Sequence, residues 1–241
     1  MLPLMLSLGL AVAAAAPAGS RCADCHFATP GAPGHVQEWD RSPHGRHDVG
    51  CERCHGGDAT TFESSRAHRD LLGRSSPGSP IAPRNIPVTC GSCHSGPFVE
   101  FQKSRHYLLL RSGAPGVPTC TTCHGAVAGH LMSPRAVGAE CAGCHHQDAL
   151  GPGRKYAAQA RELVEGIDQV RADLDRAKAV IGRVKDKARR AGLEDRYEQA
   201  EVPLTEAAQA MHAFVFDGLE ERLAVARERT TALIDALANV R

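Results

Sequence analysis

The C-terminal third of the chain carries apolar residues at alternating steps of four and three positions. The first such stripe comprises Leu163, Ile167, Val170, Leu174, Ala177, Ile181, Val184 and Ala188. The second follows Pro203 and comprises Leu204, Ala208, Met211, Val215, Leu219, Leu223, Ala226, Leu233, Leu237 and Val240. This spacing is typical of helices that bury one face against a partner helix. With a stop at Ala191 and Gly192, and Pro203 in a first turn, it predicts two helices in an antiparallel hairpin.

A two-helix hairpin cannot bury both of its apolar stripes completely. We therefore expect the hairpin, residues 154–241, to dock on the rest of the chain or to mediate a homodimer. Residues 19–151 differ sharply from it, because they are rich in Gly and Pro and lack a helical period. Gly151, Pro152 and Gly153 mark the boundary between the two compositions. The predicted fold is mainly α: an irregular domain with little sheet, followed by a long helical hairpin.

The N-terminus predicts a secretory signal, residues 1–18. An uncharged apolar run from Leu2 to Ala16 precedes the small-residue pattern that ends at Ala18. The run is shorter than the roughly 20 apolar residues that a spanning helix needs. We therefore expect a periplasmic or extracellular protein that is soluble after cleavage. The balance of 28 basic and 27 acidic side chains offers no argument for binding nucleic acid.

All ten cysteines fall into five copies of the pattern Cys-x-x-Cys-His. The cysteines are Cys22 and Cys25, Cys51 and Cys54, Cys90 and Cys93, Cys120 and Cys123, and Cys141 and Cys144. The histidines that follow them are His26, His55, His94, His124 and His145. This pattern is the attachment signature of haem c, since two thiols three positions apart can both add to one porphyrin while the adjacent His faces its iron. Zinc sites and disulfides do not require His at this position every time. We therefore predict five covalent haems with these histidines as proximal ligands.

Haem attachment also bears on how residues 19–151 fold. About 26 residues per haem are too few for a separate hydrophobic core, so the porphyrins must serve as the core. The loop from Ser75 to Pro83 lies in the longest gap between motifs and could divide a two-haem half from a three-haem half.

Eight histidines remain for the distal side of the irons, against two methionines after residue 18, Met132 and Met211. This excess predicts mostly bis-His irons of low potential, because Met ligation raises the potential. The distal candidates, in descending order of preference, are His44, His106, His130, His68 and His146. His35 and His47 are weaker candidates. His212 is interpreted as structural, because it lies on a polar helix far from any motif.

The order aromatic, two residues, Ser-x-His, then Cys-x-x-Cys-His-Gly occurs from Trp39 to Gly56 and from Phe101 to Gly125. It resembles multihaem cytochromes related to cytochrome c nitrite reductase, hydroxylamine oxidoreductase and their tetrahaem electron acceptor. The resemblance covers roughly residues 20–148 and implies closely stacked haems, with His44 and His106 as distal ligands. The nitrite reductases are about twice as long and place Lys at one proximal position, whereas all five motifs here end in His.

These observations favour a relay that passes electrons between redox protein partners or quinol-linked dehydrogenases. The alternative is a small multihaem reductase or oxidoreductase of a nitrogen compound, which requires one open iron. The abundant histidines and the absent Lys ligand favour the relay, so we expect no catalytic residues.

Overall fold

The computed structural model describes residues 20–29, 34–127, 132–146 and 153–238. Within these ranges the regular secondary structure is helical and includes no β-strand, which confirms the predicted mainly α fold. The predicted signal segment and the distal candidate His130 lie outside the described residues.

The contacts divide the chain into two compact units, and the first ends at Leu71 while the second begins at Leu72. The first unit holds the first two Cys-x-x-Cys-His motifs, and the second holds the other three together with the C-terminal helices. The compositional boundary near residue 152 therefore does not coincide with the boundary between the units.

The first unit contains short helices. They are α1 (Arg21–Phe27), α2 (Gly34–Arg41), α3 (Pro43–Arg46), α4 (Glu52–His55) and α5 (Ser64–Ala67). Among its described residues, only Ala23 and Val36 are buried apolar side chains. The polypeptide of this unit therefore has almost no hydrophobic core of its own.

The second unit begins with five more helices of modest length and ends with three long ones. The shorter helices are α6 (Ile86–Gly91), α7 (Ser95–Gln102), α8 (Arg105–Arg111), α9 (Cys120–His124) and α10 (Pro134–Cys144). The long ones are α11 (Gly153–Ile181), α12 (Lys187–Ala210) and α13 (Asp217–Ala238). A short 3-10 turn, Met211–Ala213, follows α12 directly.

The prediction of two C-terminal helices is wrong in number, since the segment forms three. The side chain of Asp186 accepts a hydrogen bond from the backbone N–H of Arg189 at 2.7 Å and so starts α12 well before Pro203. A further apolar stripe was overlooked: Leu193, Tyr197, Ala200, Leu204 and Ala207 are all buried. The spacing of these residues, together with Asp186 as a capping residue, indicates the extra helix.

Pro203 lies inside α12 and not in its first turn. Proline has no N–H, so the carbonyl of Gln199, four residues earlier, loses its usual helical partner. Arg229 of α13 donates to this carbonyl at 2.8 Å. The contact between helices thus replaces the missing hydrogen bond within α12.

The hydrophobic core of the second unit lies among the three long helices. α12 packs along α13, while α11 contacts both of them and also α10. The first predicted stripe is buried as far as Ile181, but Ala188 is exposed beyond the end of α11. In the second stripe, Leu219 is fully buried, whereas Val215 is 62% exposed where the chain turns between α12 and α13. The long stripes that suggested a dimer are therefore largely buried within the chain.

No helix within the described ranges has both the length and the apolar composition that a membrane span requires.

Candidate haem-binding sites

Each Cys-x-x-Cys-His motif lies on one turn of helix. The first and fourth motifs lie in α1 and α9, the second begins at the N-terminus of α4, and the fifth ends α10. In the third, α6 ends at Gly91, but the N–H groups of Cys93 and His94 still bond to the carbonyl of Cys90, at 3.2 and 2.9 Å. Each turn therefore carries both thiols of a motif close together beside its histidine.

Two motifs are followed by glycine with a positive φ angle. Gly56 ends α4 with φ 79°, and Gly125 ends α9 with φ 81°. This backbone conformation strains residues with a side chain, so glycine stops the helix directly after the proximal histidine at little cost.

Thiols of different motifs lie close to one another. Before haem attachment, a hydrogen bond to Cys120 raises the pKa of the Cys90 thiol, and burial raises it further. Burial also raises the pKa of Cys123 to about 11, with a further contribution from the charge of Cys141. In the first unit, burial raises the pKa of Cys51, and the charge of Cys22 adds to the shift. Motifs one and two are thus neighbours, as are three and four, and four and five.

In the described part of the chain, the motif histidines His26, His55, His124 and His145 each face a second imidazole. The ring centroids of His26 and His68 are 5.9 Å apart, and those of His35 and His55 are 6.1 Å apart. The corresponding distances are 5.9 Å for His106 and His145 and 6.2 Å for His124 and His212. The distance between ring centroids is therefore nearly the same in all four of these pairs.

This separation fits an iron between the two rings. A metal bound at about 2.0–2.1 Å by one nitrogen of each of two imidazoles places their centroids roughly 6 Å apart. Packed rings can have similar centroid separations, so the argument for a metal is that every one of these pairs contains a motif histidine. A porphyrin already supplies four nitrogens to its iron, so it needs only two protein ligands. The described residues bring imidazoles together in such pairs, and they contain no cluster of three or more His, Cys, Asp or Glu side chains that could hold a metal ion.

Backbone hydrogen bonds orient two of the imidazoles that pair with motif histidines. Nδ1 of His68 lies 2.8 Å from the carbonyl oxygen of Ser64, and Nδ1 of His212 lies 3.0 Å from that of Gln209. An N–H at Nδ1 donates to the carbonyl in each case, which leaves Nε2 as the unprotonated nitrogen. Metal-binding histidines are commonly oriented in this way.

The pair of His106 and His145 is buried in part and lacks protein partners. In the described part of the chain, Nδ1 of each ring is buried without a hydrogen-bond partner. Burial lowers the pKa of His106, and the charge of His145 lowers it further. The lowered pKa keeps His106 neutral, which is the form of histidine that binds a metal. A bound group that partnered the buried nitrogens would remove the cost of leaving them without a partner.

The repeated Ser-x-His element has the same structure in both copies. The hydroxyl of Ser42 donates to the carbonyl of Trp39 at 2.7 Å and accepts from the N–H of Gly45 at 3.2 Å. The hydroxyl of Ser104 donates to the carbonyl of Phe101 at 2.6 Å and accepts from the N–H of Tyr107 at 3.0 Å. Each serine caps a helix that carries the histidine two residues later, so the sequence element is a device for positioning that histidine.

The predicted distal candidates have different surroundings. His106 and His68 each face a motif histidine, as described above. His44 lies in the capped helix α3. His146 is exposed, and no described imidazole faces it. His130 lies outside the described residues.

Two histidines that face motif histidines were ranked low from the sequence. His35 lies in α2, upstream of the second motif, and faces His55. His212 follows α12 and faces His124, although the sequence analysis interpreted it as structural. No local pattern distinguishes His35. His212 has none either, because the second stripe continues through Val215 in the sequence and the turn beside His212 is visible only in the structure.

Comparison with known proteins adds one finding. The family model described as cytochrome c554 and c-prime matches residues 8–56, which include the first two motifs. The match supports a c-type cytochrome. It also supports covalent haem c and electron transfer by this cytochrome. No curated protein and no solved structure matches the chain.

Proposed function

We propose that this cytochrome is an exported multihaem electron carrier with five covalent haems, most or all of them bis-His and of low potential. The observation that carries the proposal is the set of four imidazole pairs with centroids 5.9–6.2 Å apart, each containing one motif histidine. In the proposed assignment, His68, His35, His106 and His212 are distal ligands to the irons of motifs one, two, five and four.

The proximity of the thiols supports electron transfer between neighbouring sites. Cys22 and Cys51 place the first two attachment sites together in the first unit. In the second unit, Cys90 lies against Cys120, and Cys123 lies near Cys141. The attachment sites therefore form a group of two and a row of three.

Haem c, when bound, supplies a one-electron ferric/ferrous couple. Two cysteines of each motif would hold a porphyrin, and in four of the motifs the paired imidazoles would both bind its iron. A closed iron has no position for a substrate, so the residues favour transfer of single electrons without bond making or breaking. A porphyrin could cover apolar side chains that are exposed near the histidines in the sequence. Examples are Phe27, which follows His26, and Leu108, two residues after His106.

The location and partners follow from the chemistry of attachment. Thioether formation requires reduced thiols and maturation outside the cytoplasm, which agrees with the predicted signal at residues 1–18. We propose a periplasmic or extracellular carrier between redox proteins or quinol-linked dehydrogenases. The Ser-x-His elements support a relationship to the nitrite reductase and hydroxylamine oxidoreductase group.

Mass spectrometry and electron paramagnetic resonance (EPR) of the holoprotein test this proposal. We expect the mature chain to carry five haem masses and the oxidised protein to show low-spin iron. The interplanar angles are 17° and 18° for His35 with His55 and His124 with His212, and 83° and 65° for His26 with His68 and His106 with His145. Near-parallel axial rings give rhombic low-spin signals, and near-perpendicular rings give signals with a large maximum g value, so both types are expected.

Four or fewer haem masses would contradict the attachment sites. A stoichiometric high-spin signal in the oxidised wild type would overturn the simple relay, because one iron would then be open. That result would instead favour a reductase or oxidoreductase of a nitrogen compound.

A further inference from the structure

The turn between α12 and α13 enters the haem-binding part of the second unit. The 3-10 turn Met211–Ala213 packs against α7, the helix that follows the third motif. Gln209, at the end of α12, also approaches α7: its side-chain amide lies 2.8 Å from the position that a Cβ on Gly96 would occupy. The turn is therefore seated closely on α7.

His212 on this turn has the features of an axial ligand. Its ring centroid lies 6.2 Å from that of His124 at an interplanar angle of 18°. Its Nδ1 is engaged by the carbonyl of Gln209 at 3.0 Å, which leaves Nε2 for a metal. The partner ring belongs to a motif histidine, so the two imidazoles are placed where one iron could be bound by both.

Phe214, two residues after His212, ends the turn and packs against aromatic rings. It has φ 56° and ψ 30°, a left-handed conformation that is rare for a bulky residue. Its ring packs edge-on against His106 at 4.7 Å between centroids and contacts Phe101 at 6.3 Å. Backbone strain of this kind persists where the surroundings enforce it. The same turn thus contacts two imidazole pairs.

We propose that His212 is the distal ligand of the haem attached at Cys120 and Cys123, and that Phe214 is a positioning residue for this turn. The three long helices are then part of the haem-binding structure, because they donate one iron ligand. This inference rests on the proposed multihaem function, and it assigns one ligand to one site.

The first test is His212→Ala in the full holoprotein, with Val215→Ala as the matched control, since Val215 is 62% exposed beside the same turn. We expect His212→Ala to keep five haem masses, to convert one of the five low-spin irons to high spin, and to regain the low-spin spectrum with added imidazole. Val215→Ala should match the wild type. If His212→Ala leaves every iron low-spin, the ligand assignment is overturned while the relay proposal stands. Missing haems in the wild type would instead overturn the proposed function itself.

His212→Met provides a second readout and also decides the question if His212→Ala fails to accumulate. Methionine ligation raises the potential of an iron relative to bis-His ligation. We expect a redox titration to show one haem shifted to higher potential and the other four unchanged. An unchanged titration overturns the assignment.

Phe214→Ala tests the positioning role. We expect the variant to keep all five haems, four of them low-spin as in the wild type. The fifth should give a mixture of low-spin and high-spin signals, and added imidazole should remove the high-spin part. A purely structural role would lower stability without changing the spin state, and that outcome overturns this part of the proposal.

Discussion

Single hydroxyl groups position two histidines of the haem-binding region. Ser42 and Ser104 are 2% and 1% exposed, and each satisfies a carbonyl before it and an N–H after it. Each serine caps its helix and also donates a hydrogen bond to the backbone of the aromatic residue three positions earlier. It therefore ties that residue to the first turn of the helix. The recurrence of the element in the sequence therefore reflects a local structure that two helices share.

Replacing Ser104 with Ala should destabilise the protein by about 1 kcal/mol, because the cap of α8 and a buried hydrogen bond are lost. Unfolding of the holoprotein in urea measures the change. Ser112→Ala is the matched control, since Ser112 is an exposed residue whose hydroxyl donates to the carbonyl of Leu109 near the other end of α8. We expect it to shift the free energy of unfolding by less than about 0.5 kcal/mol. Equal losses in the two variants would contradict the assigned cap.

At the scale of elements, helix α12 survives a proline because another helix replaces the lost hydrogen bond. Pro203 removes the N–H that would bond to Gln199, and Arg229 of α13 supplies a donor at 2.8 Å. The sequence rule that proline starts or ends a helix fails here for this reason. Helix ends in this segment are instead set by Asp186 and by the left-handed Phe214.

A double-mutant cycle tests this compensation. Arg229→Met should cost about 1 kcal/mol in the wild type, the usual size of one net hydrogen bond. In a Pro203→Ala background the new N–H can bond to Gln199, so the same substitution should cost only a few tenths of a kcal/mol. Urea unfolding of the four proteins gives the coupling, and the cycle cancels the packing lost with the buried proline.

Arg227→Met on the same helix serves as the control for removing an exposed arginine, since the Arg227 side chain lies against Gly166 of α11. We expect it to cost the same in both backgrounds. An Arg229→Met effect that does not depend on residue 203 would exclude the compensation.

For the whole molecule, the distribution of the hydrophobic core decides what can fold before haem is attached. The buried apolar cluster extends from Ala160 to Leu233, within the three long helices. The only apolar side chains that the described residues of the first unit bury are Ala23 and Val36. The polypeptide around the motifs therefore depends on porphyrin for its core, whereas the long helices have a core of their own.

Hydrogen exchange on the chain produced without haem attachment should reveal this asymmetry. We expect slow exchange in α11, α12 and α13 and fast exchange in the first unit, because local stability follows buried apolar contact. The holoprotein is the control, and in it protection should extend to the five motifs. Uniform fast exchange of the haem-free chain would contradict an independent core among the long helices.

The motif residues could be predicted from the sequence because haem attachment is a local requirement. Cysteines three positions apart and an adjacent histidine lie on one helical turn wherever that turn is placed. The Ser-x-His elements and the stripe from Leu163 to Ile181 were recognisable for the same reason, since capping and helical period depend on neighbouring residues.

The partners of the motif histidines depend on tertiary structure. His35 and His212 carry no distinguishing local pattern, and His212 lies 88 positions from His124 in the numbering of the chain. It reaches His124 because α12 ends at a turn that packs on α7. Local spacing alone therefore predicts where haem would attach, whereas the folding of distant segments onto one another decided which imidazoles face each other, because a ligand to an iron can come from anywhere in the chain.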